Sequence, residues 1–170
     1  FGLYIKIQSF VYMPANGVVQ GMRPIMSYNY GAGSRKRMME TLKSSLQVAG
    51  VIMLLGTVLF LACPGWIMKL FDAGDEMMRL GVPMLRIISL GFVVSTVGCV
   101  LSGSFEALGQ GMHSLLISML RQLVIIVPLS ALFSRIWGIY GVWMTFPLAE
   151  VIAAVAAVIL FKRFMKKLKV

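Results

Sequence analysis

Between residues 45 and 63 the chain carries no charged side chain, and residues 4–28, 82–107, 115–133 and 139–161 are nearly as apolar. About 20 helical residues, rising 1.5 Å each, cross the roughly 30 Å of hydrocarbon in a bilayer. Five such runs in 170 residues exceed what a soluble core of that size can cover. The composition agrees, since 59% of the residues are hydrophobic and only 13% are charged. The sequence therefore predicts an all-α membrane protein: a polytopic helical bundle of about five transmembrane helices, one membrane domain over residues 1–170, with the lipid bilayer as its surroundings.

Pro14, Gly17, Gly21 and Pro24 punctuate the first span and predict a bent helix. Gly17 and Gly21, four apart, share a face on which a neighbouring backbone is expected to pack closely. Pro64-Gly65 stops the second span. Residues 66–80 combine Trp66, Leu70 and Phe71 with Asp72, Asp75 and Glu76, a pattern for a short helix lying in the membrane interface. Trp137, Tyr140 and Trp143 cluster where the fifth span begins, as an aromatic belt would.

Sixteen Lys and Arg against six Asp and Glu give a net charge of +10, which in a soluble protein would raise nucleic-acid binding. Here the cations flank apolar runs without an aromatic platform, so they read as a topology signal and nucleic acid is excluded as a partner. Arg35, Lys36, Arg37 and Lys43, with the tail residues Lys162, Arg163, Lys166, Lys167 and Lys169, fall on one side. The connections on the other side hold only Lys69, Arg79 and Arg135. The C-terminus is therefore expected in the cytoplasm and Phe1 outside, which predicts at least one further helix upstream. The first stretch has no signal-peptide pattern.

Polar side chains inside spans are costly and become functional candidates. Gln20 and Arg23 lie in the first span, Arg86 near the start of the third, Arg121 and Gln122 in the fourth, and Glu150 in the middle of the fifth. Two roles fit Glu150: a cation or proton site, or a static ion pair with Arg121 of the antiparallel neighbouring helix. His113 reads as a surface residue, with a proton relay as its alternative. Cys63 and Cys99 lack metal or disulfide spacing and read as buried packing residues. Met13, Met22 and Met26 suit either a permissive cavity or core packing. The sequence carries no catalytic triad, nucleophile elbow or metal-ligand cluster, so an enzyme is not expected, and no cofactor is implied.

The run Gln20-Gly21-Met22-Arg23-Pro24-Ile25-Met26-Ser27-Tyr28-Asn29-Tyr30-Gly31-Ala32 closely resembles a signature of the multidrug and toxic compound extrusion (MATE) family. The segments 85–89, 105–111 and 141–150 resemble that family's later helices, in order. The resemblance implies part of a twelve-helix, two-lobe transporter of the bacterial cytoplasmic membrane, with these residues as helices eight to twelve and the N-terminal lobe missing. It implies export of small organic cations, cationic drugs or metabolites, by proton- or sodium-coupled antiport. Pro24, Tyr28, Asn29, Tyr30 and Gly31 become signature positions with a structural or gating role. The acid that some relatives carry on the tenth helix is absent before Glu106, which leaves two places for the coupling ion: the missing lobe, or Glu150. The other readings are a flippase of lipid-linked sugars, using Arg23, Arg86 and Arg121, and a membrane scaffold.

Overall fold

A computed structural model describes residues 2–72 and 74–168, and among these the regular structure is entirely helical. Phe1 and the tail cation Lys169 lie outside the described residues. Helix α1 spans Gly2–Gly31, α2 Arg35–Ala62, α3 Pro64–Leu70, α4 Asp75–Ser89 and α5 Phe92–Ala107. Helix α6, Gly111–Met119, runs into a π-helical segment, Leu120–Ile126, and then into α7, Val127–Lys167. Gly138, at φ 60°, interrupts α7. A side chain at Gly141 would collide with the Phe133 carbonyl, so the chain folds back there and α7 is two antiparallel arms. Five rods result among the described residues: α1, α2, the α4–α5 pair, α6 with the first arm, and the second arm.

By length and composition, α2 and the Gly111–Lys167 run are apolar and long enough to cross a membrane, and the α4–α5 pair forms a third candidate, bent by 54°. The break at Leu90 and Gly91 departs from the single span expected over 82–107. That span also starts earlier, because Asp75 and Glu76 occupy the first turn of α4, where carboxylates favour the helix dipole. The expected interfacial helix over 66–80 is accordingly shorter. Pro64 begins α3, which ends at Leu70, and Asp72, at φ 55°, helps turn the chain into α4.

Helix α1 runs without a break through Pro14 and Pro24, which both lie on its exposed side. Two other expectations change. Gly17 and Gly21 share that exposed side, and a Cβ at either meets nothing within 4 Å. The close helix approaches use Gly56, against Val11, and Gly103, against Val19. Trp143 is not part of a belt. Trp137 and Tyr140 are exposed, but Trp143 lies deeper in the second arm and is buried beside Leu85 and Phe92.

The interior has two apolar clusters. One, near the basic end, joins Met22, Met26, Met38, Leu42, Phe105, Phe161 and Met165. The other, in the opposite half, joins Ile7, Met53, Phe60, Leu85, Phe92 and Trp143. Met22 and Met26 thus pack the core, while Met13 is exposed. His113 is half-buried and stacks on Phe105 with ring centroids 5.0 Å apart, so it too packs rather than decorating a surface. Cys63 is exposed where α2 passes into α3, because the stop at Pro64 takes it out of the packed bundle.

Candidate functional site

Between the two apolar clusters the bundle presents polar stripes. On α5, Ser95, Cys99, Ser102 and Glu106 recur at helical spacing, and on α1 Gln8, Tyr12, Asn16, Gln20 and Arg23 do the same. Tyr12 donates to Ser95 Oγ at 2.9 Å, joining the two helices. Nearby, Thr57 of α2 donates to the Ser89 carbonyl at 3.1 Å, satisfying a backbone group beside the α4–α5 break.

Arg121 and Glu150 meet at this level. The Arg121 Nη1 donates to both Glu150 oxygens at 3.3 Å, and the side chains are 27% and 16% exposed. The back-folded α7 explains the meeting, since the two residues stand at similar distances along antiparallel arms from the turn at Gly138. Irregular backbone converges there. Arg121 belongs to the π-helical segment, whose extra residue per turn widens the helix. Pro147 lies within the second arm, one turn before Glu150. A Cβ added to Gly91 would stand 3.1 Å from the Pro147 Cα and 3.5 Å from the Glu150 Cγ, so the arm presses closely against the break and a side chain there would push it back. Discontinuous helices around a charge at mid-depth are how membrane carriers build ligand sites.

Two cavities flank Arg121. One, of about 280 Å³, is lined by Gln8, Tyr12, Arg121, Gln122, Phe146 and Glu150. The other, of about 160 Å³, lies toward the basic end and is lined by Asn16, Arg23, Cys99, Ser102, Glu106 and Ser118, with Arg121 again on its wall. At its far side Arg23 pairs with Glu106 at 2.6 Å and donates to Gln20 at 3.2 Å. Ser114 donates to Glu106 at 2.7 Å and lies 2.6 Å from Ser102.

The structure thus brings Arg121, Gln122 and Glu150 to one cavity, and sets Gln20 and Arg23 together near the basic end. Arg86 is exposed on α4, apart from both groups. The signature residues divide. Pro24 and Tyr28 are exposed, whereas Asn29 is buried on a groove shared with Arg37 and Glu40. Tyr30 packs against the basic-end core, and Gly31 closes α1 before the turn at Gly33, φ 68°. Sequence reasoning missed Tyr12, Ser95, Ser102 and Gly91. The polar stripes on α1 and α5 would have revealed the first three.

A family model described as MatE matches residues 1–132. The multidrug export protein MepA of Staphylococcus aureus is 22% identical over 160 residues, covering 94% of this chain and 35% of its own length. The chain therefore spans about a third of that relative. A solved MATE multidrug transporter, DinF-BH in complex with rhodamine 6G, is 32% identical, with a TM-score of 0.86 over 96% of this chain and 36% of its own. Two solved structures, each of a multidrug resistance MATE family transporter of the MOP superfamily and each 19% identical, show an inward-facing and an outward-facing conformation. The inward-facing one matches with a TM-score of 0.88 over 95% of this chain and 38% of that one. The outward-facing one gives 0.91 over 98% and 38%.

Proposed function

The chain belongs to the MatE family, and on that footing we propose that it forms part of a secondary active efflux transporter that exports organic cations by alternating access. The observation that carries this reading is the Arg121–Glu150 pair on the wall of a cavity held between α1 and the back-folded α7. Glu150 supplies the one negative charge among the residues lining it, and Tyr12 and Phe146 supply aromatic surface that suits a flat or bulky cation. Multidrug export by MepA and the rhodamine 6G complex of DinF-BH support the same class of substrate.

Likeness to both an inward- and an outward-facing neighbour supports a bundle that keeps its internal fold while a second lobe moves against it. These rods would then be helices eight to twelve. The exposed side of α1, with Met13, Gln20, Gly21, Pro24 and Tyr28, would face the N-terminal lobe. The basic end would lie in the cytoplasm, as the clustering of Arg35, Lys36, Arg37 and the tail cations favours. Export would be driven by inward flow of protons or sodium ions. The flippase reading loses its footing, because Arg23 and Arg121 are each paired with a carboxylate and Arg86 stands apart.

The test is efflux of a fluorescent organic cation from vesicles carrying the protein, under an imposed pH or sodium gradient. Gradient-dependent efflux that Glu150→Gln abolishes supports the reading. The absence of flux under both gradients refutes it, and the relative response to the two gradients identifies the coupling ion.

A further inference from the structure

Arg121 stands on the wall of both cavities, one on each side of its helical turn. We propose that Arg121 is a tethered counter-ion: it neutralises Glu150 until an organic cation arrives, then swings toward the basic end into the cavity it shares with Glu106, and returns when the cation leaves. The proposal rests on the reading of Glu150 as the cation-binding acid and adds the residue that sets its selectivity.

Four features support the exchange. First, the pair is loosely bonded: a single nitrogen serves both oxygens at 3.3 Å, where charge-assisted bonds are commonly about 2.7–2.9 Å. Second, the alternative position offers a guanidinium polar partners: Asn16, Ser102 and Ser118 line it, beside Glu106, whose charge Arg23 on the same wall already shares. Third, the direction is the one a helical side chain favours. Ser118 precedes Arg121 by three residues, and long side chains on helices lean back toward the preceding turn. Fourth, Arg121 is carried on the π-helical segment, a geometry found mainly where helices change conformation or serve a site.

The exchange also answers an electrostatic difficulty. A buried carboxylate stripped of its partner is costly, so a site that opened before its ligand arrived would be unstable. Replacing one cation directly by another keeps Glu150 neutralised at each stage. A neutral molecule of the same shape cannot displace Arg121, and an anion is repelled by Glu150, so the built-in competitor rejects both.

Purified protein in nanodiscs, titrated with rhodamine 6G and followed by fluorescence polarisation, tests this. Without a competitor, Arg121→Gln is expected to bind the dye about tenfold more tightly than the wild type. Arg121→Lys, which keeps a tethered cation, is expected to stay within about threefold of the wild type, and Glu150→Gln to lose binding. Arginine-labelled NMR of the wild type provides a readout that depends on no variant's stability. The Arg121 guanidinium signal, assigned by its loss in Arg121→Lys, is expected to shift on saturation with the dye. If Arg121→Gln binds equally or more weakly, or the Arg121 signal stays fixed at saturation, Arg121 is a static brace and the proposal falls, while cation binding at Glu150 stands. If the wild type and Glu150→Gln bind the dye alike, or neither binds, the reading of Glu150 itself fails.

Discussion

Near the basic end, Glu106 has each carboxylate oxygen engaged by a different donor, Arg23 at 2.6 Å and Ser114 at 2.7 Å, and the donors come from α1 and α6. Midway along the bundle, Glu150 offers both oxygens to one nitrogen of Arg121 at 3.3 Å. The shallower pair is the tighter one. Burial alone would suggest the reverse, because a lower local dielectric strengthens attraction between opposite charges. What decides is whether each lone pair finds its own donor. A carboxylate whose hydrogen bonds are complete ties three helices together, whereas one with a single, stretched partner retains capacity for another cation. The surroundings differ in the same sense. The basic-end pair joins the end of α5 to an unbroken stretch of α1, while the deeper pair sits where α4–α5 breaks, α6 widens and the second arm carries Pro147.

The strongest way to break this comparison is to remove the deeper acid. Glu150→Gln leaves the Arg121 guanidinium facing an amide, and breaking a buried pair from one side costs about 3–5 kcal/mol. Thermal unfolding in detergent is expected to show that loss, and vesicle efflux of an organic cation is expected to fall to background. Neutralising both partners, Arg121→Gln with Glu150→Gln, is expected to restore stability to within about 1 kcal/mol of the wild type without restoring efflux. Efflux at the wild-type rate in that double variant would reduce the deep pair to a second clamp and erase the contrast.

A bulky residue at Gly91 probes the backbone that holds Glu150 in place. Gly91→Leu has to displace Pro147, and overpacking of a tight contact costs about 1–3 kcal/mol. Efflux is expected to fall several-fold more than in Arg23→Gln, a substitution at the other pair. Arg23 and Glu106 are 34% and 38% exposed, so water screens their attraction and replaces part of the lost bond. That change is expected to cost about 1 kcal/mol or less in thermal unfolding. Equal efflux defects from the two substitutions would show that the break at Gly91 does not position the acid.

Much of this was legible in the sequence, for identifiable reasons. Apolar runs of membrane-spanning length announced the rods, and antiparallel geometry foretold that Arg121 could reach Glu150 across the 134–138 turn. Helix ends were less legible. Helix α2 begins at Arg35, ahead of the apolar run, because its charged first turns are good helix formers that hydropathy alone passes over. The π-helical turn was less legible still: Pro128, just beyond it, disturbs the ladder of the preceding turn, but Leu120-Arg121-Gln122-Leu123 itself reads as ordinary helix. The break at Leu90 and Gly91 packs against Pro147, which is remote in the chain. At the site, single charges within the spans stood out, Arg23 among them, but Ser114, the hydroxyl that completes Glu106, did not. Serines are common in membrane helices, and only the spacing of Ser95, Cys99, Ser102 and Glu106 distinguishes these.

The smallest effect gives the sharpest view of the clamp. Ser114→Ala removes one donor from Glu106 and leaves the Arg23 contact in place, and with a carboxylate accessible enough to recruit water the loss is expected near about 0.5 kcal/mol. Its value lies in combination. Ser114 and Arg23 hold opposite oxygens of one carboxylate, so losing either loosens the geometry on which the other depends. Thermal unfolding of Ser114→Ala, Arg23→Gln and the double variant is therefore expected to be non-additive by at least about 0.5 kcal/mol. Strict additivity would mean that Ser102, 2.6 Å from Ser114, positions that hydroxyl without help from Glu106, and that the three-helix clamp is two separate contacts.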